Sequence, residues 1–179
     1  MSVSTSTSSV APNVRAAIRL DFRPEVGLIS RTSRFVRDFF GNVLADPDAT
    51  SRVMLTTYEL LENVAKHSLD GYGHFRVELV ERGSDNFVRV HSRNRALPEQ
   101  LERLRRLLGA LASAGDSRAL YQKMIAASAG AGTPCPEEAI GIGLARVRSE
   151  ADMQVSYSVE ADEVAICAET PVVLKAARR

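Results

Sequence analysis

Residues 16–23 (AAIRLDFR) place Ile18, Leu20 and Phe22 at every second position, the period of a half-buried strand, and Pro24 ends the run. From Val26 to about Leu44 the spacing changes. Leu28, Ile29, Phe35, Val36, Phe39 and Phe40 return at helical intervals with Arg31, Arg34 and Arg37 between them, which predicts an amphipathic helix. The segment DPDATS supplies turn and capping residues before a second helix over about Thr50 to Ser68. Its buried stripe is predicted to be Val53, Thr57, Leu60, Leu61 and Val64. LDGYG closes that helix. HFRVELVER and NFVRVHS then read as two strands joined through GSDN, a hairpin composition.

Pro98 opens a third helix with a strong stripe of Leu101, Leu104, Leu107, Leu108 and Leu111. A fourth, about Asp116 to Ala129, carries Leu120, Tyr121, Met124 and Ile125. The stretch GAGTPCPEEAIGIG that follows is rich in Gly and Pro and reads as the least ordered part of the chain outside its start. Leu144 to Ala151 reads as helix, and MQVSYSVE and EVAICAE as a final hairpin turning at Ala161-Asp162. Strands run together with helices gathered between them, so the expected fold is α+β: a two-layer sandwich of a mixed, mostly antiparallel sheet packed on helices. No GxGxxG follows a strand and no GxxxxGK[ST] is present, which excludes Rossmann and P-loop sites.

Composition narrows the class. The 179 residues fit one domain of the usual ~100–200 residues, long enough to bury a core without staples. The first residues, MSVSTSTSSVAPN, have nothing to bury and no secretory pattern, so 1–14 is expected to be a disordered tail ahead of a domain over 15–175. A net charge of +1, with 20 of the 23 basic residues being Arg, argues against binding nucleic acid by phosphate neutralisation. No apolar run approaches the ~20 residues of a membrane span. Cys135 and Cys167 are too few for a disulfide framework or a zinc site, which suits free thiols in a reducing cytoplasm.

The chemistry concentrates in two segments. In TYELLENVAKHS, Glu59, Asn63 and His67 are spaced four apart and share one helix face beside the apolar stripe. A carboxylate and an amide one turn apart can hold a divalent cation and orient a hydroxyl. The same residues also suit a solvated polar face, with Glu62 and Lys66 as an i,i+4 ion pair. In GIGLARVRSEA, Gly141 and Gly143 directly precede a helix, where backbone N–H groups can approach a phosphate; flexible glycines there also make an ordinary turn.

Taken together, ELLENVAKHS resembles the asparagine box of the GHKL superfamily of gyrase, Hsp90, histidine kinases and MutL-type ATPases, and GIGLARV resembles its second glycine box at the end of the ATP lid. The element order is similar over about residues 15–170. Within the superfamily the chain most resembles stand-alone anti-sigma-factor serine kinases and small SiaB-type kinases, since no phosphoacceptor hairpin precedes the domain. The resemblance implies the Bergerat ATP-binding fold, with residues 98–140 as a helical lid insertion. It implies ATP and Mg2+ as cofactors, and Asn63 as the metal-holding asparagine. Glu59 would be the carboxylate that takes a proton from the attacking hydroxyl. Lys66 and His67 would lie near the phosphates, and Gly141, Gly143 and Leu144 in the lid that wraps them.

The superfamily's Asp-x-Gly motif, whose carboxylate receives the adenine amino group, is absent. HSRNRALP stands in its place, with Ser92 and Asn94 at the expected Asp and first Gly. A neutral oxygen accepts a hydrogen bond roughly half as strongly as a carboxylate. Two functions follow from the resemblance. One is a cytoplasmic ATP- and magnesium-dependent serine/threonine kinase acting on a small regulatory partner, a STAS-domain antagonist or a sigma factor, with a homodimer compatible. The other is a degenerate binding module in a partner-switching pathway, without catalysis.

Overall fold

The computed structural model describes residues 13–23, 25–130 and 141–176. In chain order these form β1 (Asn13–Phe22), α1 (Val26–Val43), α2 (Pro47–His67), β2 (Gly73–Arg82), β3 (Asp85–Arg95), α3 (Pro98–Ser113), α4 (Ser117–Gly130), α5 (Ile142–Ser149), β4 (Gln154–Glu160) and β5 (Glu163–Val172). The strands make one five-stranded sheet in the order β1-β2-β3-β5-β4. Every neighbouring pair is antiparallel, so the described sheet carries no parallel pair. The architecture is the expected α+β two-layer sandwich.

Local chemistry sets the element ends. Asp46 caps α2, its carboxylate accepting the Asp48 N–H at 2.8 Å, with Pro47 in the first turn. The helix therefore starts three residues before the expected Thr50. Gly83 adopts φ +63° in a two-residue turn, which lets Arg82 pair directly with Asp85 and makes both hairpin strands longer than their apolar runs. β1 begins at Asn13, paired with Glu81, so the strand takes in two residues assigned to the tail. The remaining tail and most of GAGTPCPEEAIGIG, including Cys135, lie outside the described residues.

The core sits between the sheet and the helices. Phe75, Val77 and Leu79 of β2 and Val88 and Val90 of β3 meet Leu60, Leu61 and Val64 of α2 and Val36 and Phe40 of α1, all buried. Truncating a side chain such as Phe40 to Ala would cost about 3–5 kcal/mol. Two positions in the predicted α1 stripe stay outside: Leu28 is 42% and Phe35 56% exposed. The reason is geometric, since the buried arc of this helix is the narrower one through Ile29, Ser33, Val36 and Phe40. At the far corner Leu44 bridges Leu174, fixing the α1–α2 turn against the end of the chain. Among the described residues no helix is long and apolar enough to cross a membrane.

Candidate functional site

α2 carries the three polar residues along the edge of its buried stripe, and each meets a different environment. Glu59 is 5% exposed and its Oε1 accepts from Arg146 Nη1 of α5 at 3.0 Å. Burial raises the Glu59 carboxyl above the usual carboxylate range, and Arg146 only partly opposes that shift. Arg146 is shared, since its Nε donates to Glu150 Oε2 at 2.7 Å. Tyr121 of α4 reaches the same carboxylate, and its hydroxyl is pushed up by burial first and by Glu150 next. Glu59, Arg146, Glu150 and Tyr121 thus tie α2, α5 and α4 into one network.

One turn on, Asn63 faces a small cavity shared with His67, Asn94, Gln100, Leu104 and Gly141. The Asn63 Nδ2 is buried and has no hydrogen-bond partner. Such an atom costs about 1–3 kcal/mol when left unpaired, so it marks a place for a ligand group or a water. His67 lies at the last turn of α2, its imidazole pushed down by burial and by Lys66. Lys66 itself points away and pairs with Glu62 at 3.0 Å on the exposed face. That is the i,i+4 pair legible in the spacing.

The second glycine segment closes the other wall. Gly141 holds φ +101° as the N-cap of α5, a conformation that favours glycine, and its carbonyl accepts the Ala145 N–H at 2.9 Å. Leu144 lines the cavity, while Gly143 lies over Glu59. Asn94 lines it too; its Nδ2 donates to the Arg95 carbonyl at 3.0 Å, which leaves Oδ1 to accept. Ser92 is buried on β3 opposite Ile166 and does not line this cavity. Of the residues expected near a nucleotide, the structure therefore gathers Asn63, His67, Asn94, Gly141 and Leu144. It sets Glu59 and Gly143 beside them and leaves Lys66 and Ser92 apart.

No protein-family model matches the sequence, and no curated protein is significantly similar to it. A chain in the crystal structure of the SiaB–SiaC complex from Pseudomonas aeruginosa matches with a TM-score of 0.59 at 16% identity. The match covers 88% of this chain and 90% of that one. The chain has a SiaB-like fold. At that identity the likeness speaks for architecture, and the chemistry must come from the side chains.

Two groups were not legible beforehand. Arg146 and Glu150 had a visible i,i+4 spacing, but only folding brings Arg146 to Glu59. Leu104 and Leu107 read as ordinary stripe residues of α3, and nothing in their period said that they face Asn63 and Gly141. Outside this region Cys167 is half-buried, with Sγ 3.9 Å from His91 Nε2 and its thiol pushed up by burial, so it lacks the character of a reactive thiolate. Among the described residues no group of three or more His, Cys, Asp and Glu side chains could by itself hold a metal.

Proposed function

We propose that this chain is an ATP- and magnesium-dependent serine/threonine kinase of the anti-sigma-factor type, working on a small regulatory protein in the cytoplasm. The observation that carries the reading is the buried, unpartnered Nδ2 of Asn63, facing a cavity whose opposite wall is the Gly141 turn at the start of α5. The unpartnered Nδ2 is a donor and suits a phosphate oxygen, the Oδ1 of the same amide is a hard ligand of the kind magnesium takes, and the first N–H groups of a helix also suit phosphate. Bound there, a magnesium nucleotide would supply the phosphoryl group.

The chain's own residues then have distinct tasks. Asn63 would hold the metal and the Gly141–Gly143 backbone the phosphates. Glu59 would take the proton of the partner hydroxyl at Oε2, since Oε1 is engaged by Arg146. Its raised pKa suits that work, because a base is most effective when its pKa lies near the operating pH. The neighbour of the same fold was solved as a two-protein complex, which supports a protein partner here. The resemblance to anti-sigma kinases points to a STAS-like domain.

The second reading, a binding module without catalysis, is favoured by the base-recognition side. Ser92 and Asn94 offer neutral oxygens where the superfamily has a carboxylate, and Ser92 lies outside the cavity. Calorimetric titration with ATP, with and without magnesium, separates the two. The kinase reading expects magnesium-dependent binding that Asn63→Ala weakens. A chain that grips its partner yet never takes up nucleotide is the binding module.

A further inference from the structure

Helix α3, the first part of the expected lid insertion, supplies none of the groups assigned to the nucleotide above, yet it faces the same cavity. Its inward stripe divides in two. Leu101, Leu108 and Leu111 are buried in the core, whereas Leu104 and Leu107, three residues apart on one face, are only partly buried. Leu104 lines the cavity with Asn63, His67 and Asn94. Leu107 lies on the Gly141 backbone: a Cβ built on Gly141 would fall 2.0 Å from Leu107 Cδ2. Two leucines thus sit against the amide and the turn that would meet the phosphates.

Space gives the same answer. The cavity has a volume of only about 30 Å³. Pockets for nucleotide-sized ligands run to ~300–1,000 Å³. Nothing of that size can touch Asn63 and the Gly141 backbone while α3 is docked. The helix runs between two short connections, Ala96–Leu97 before it and Ala114–Asp116 after it. At the first, the Leu97 N–H donates to Gln100 Oε1 at 3.1 Å and the Ala96 N–H to the Asp162 carbonyl at 2.8 Å, which anchors a pivot.

We propose that α3 is a built-in competitor of the nucleotide, with Leu104 and Leu107 as its plug. The inference rests on the nucleotide reading of the site and adds its regulation: the pocket forms only when α3 undocks, so apparent affinity equals the intrinsic affinity scaled by the undocked fraction. A partner or condition that draws α3 away switches the site on without touching it.

The test titrates a non-hydrolysable ATP analogue with magnesium into the full chain, Leu107→Ala, Leu104→Ala and Arg105→Ala, with hydrogen exchange read on α3. Shortening either leucine should tighten binding by about tenfold or more, as loss of a packed side chain disfavours the docked state. Arg105, on the exposed face beside Glu102, should leave affinity unchanged. In the parent, adding the analogue should speed exchange in α3. Either leucine variant suffices if the other fails to fold. Equal affinity in parent and leucine variants, with α3 protection unmoved by the analogue, overturns the plug while the nucleotide reading survives. Tightening by Arg105→Ala as strong as by Leu107→Ala overturns it too, because general loosening of the helix would then be the cause. No binding by any form up to about 10 mM, a free energy of only ~3 kcal/mol, overturns the nucleotide reading and the plug with it.

Discussion

Gly143 lies directly against the carboxylate of Glu59: a Cβ built on it would fall 2.5 Å from Glu59 Oε2. Helix α5 can approach α2 this closely because that position has no side chain, and the approach brings Arg146 within reach of Glu59. Alanine at 143 must push the carboxylate aside. Some of that cost is offset by the helix propensity that alanine gains over glycine, up to ~1 kcal/mol. Gly141→Ala has no such offset, since it combines φ +101° with the Leu107 contact. Urea unfolding should show Gly143→Ala within about 1 kcal/mol of the parent and Gly141→Ala destabilised by about 2 kcal/mol or more. Equal losses at the two positions would sink this account of the glycine pair.

The Glu59–Arg146 pair makes an asymmetric prediction. Glu59 is buried and its carboxyl is raised chiefly by that burial, whereas Arg146 is 40% exposed. Arg146→Ala strands a buried carboxylate and should cost about 1–3 kcal/mol, below the range for fully buried pairs because Glu59 can pick up a proton. Glu59→Gln removes the buried charge and should be close to neutral at pH 7. In that background Arg146→Ala should cost little, so a double-mutant cycle shows strong coupling. The pH sign follows from the raised folded pKa. Glu59 contributes stability that is fully present below its unfolded value of 4.5 and is lost as pH rises through the folded value. In the Arg146→Ala chain that loss should grow. A cycle with no coupling energy would show the pair to be incidental.

Most of the fold was legible because its elements follow simple periods. Val53, Thr57, Leu60, Leu61 and Val64 all lie in the core as their spacing requires. The hairpins fall where their turn residues sit. By period the site was legible only along α2, where Glu59, Asn63 and His67 share a face through local geometry. Asn94 and Leu144 were reached through the family resemblance alone, and Gly141 through that resemblance and its place in a glycine pair before a helix. Its other wall depends on contacts between residues far apart in sequence, and period carries no record of those. Ser92 shows the limit well. Its position after β3's apolar run suggested a base acceptor. Strand alternation puts Ser92 and Asn94 on the same buried face, but Ser92 lies two residues further in, opposite Ile166, and only Asn94 reaches the cavity. Leu28 and Phe35 show it too, since helical spacing cannot tell how wide an arc of α1 its neighbours will cover.

Two histidines should report on packing through pH. Burial pushes His67 and His91 below the ordinary imidazole value of 6.5, and neighbouring cations, Lys66 for the first and Arg89 for the second, push the same way. Glu62 opposes the shift at His67 and Glu78 opposes it at His91 without cancelling it. A depressed folded pKa contributes stability that is present above the unfolded value and lost as pH falls through the folded one. Imidazole proton shifts followed by NMR should give midpoints below 6.5 for both rings, with stability falling on acidification through that range. A midpoint for His67 at or above 6.5 would mean that its place beside the cavity is more open to water than the structure shows.

Asn63 and Glu59 should fail in different ways, and that difference tests the proposed chemistry most directly. Asn63 meets the cavity with an unpartnered Nδ2, so its work is to hold something. Asn63→Ala should therefore weaken nucleotide binding itself, most clearly when magnesium is present. It should also leave the fold as stable as before or slightly more so, because an unsatisfied buried donor is removed. Glu59 is set back from the cavity and tied to Arg146, so its work is to accept a proton. Glu59→Gln keeps the shape and can still accept from Arg146 through its amide oxygen. It should bind nucleotide much as the parent does, yet lose phosphotransfer to the partner by about 100-fold or more, in line with what a general base contributes. Two readouts are needed, calorimetry for binding and radiolabel transfer for chemistry. If Glu59→Gln transfers phosphate at the parental rate, its carboxylate has only a structural part, as the anchor of α5. If Asn63→Ala binds nucleotide as tightly as the parent with magnesium present, the Asn63 amide holds neither phosphate nor metal, and the kinase reading loses the observation that carries it.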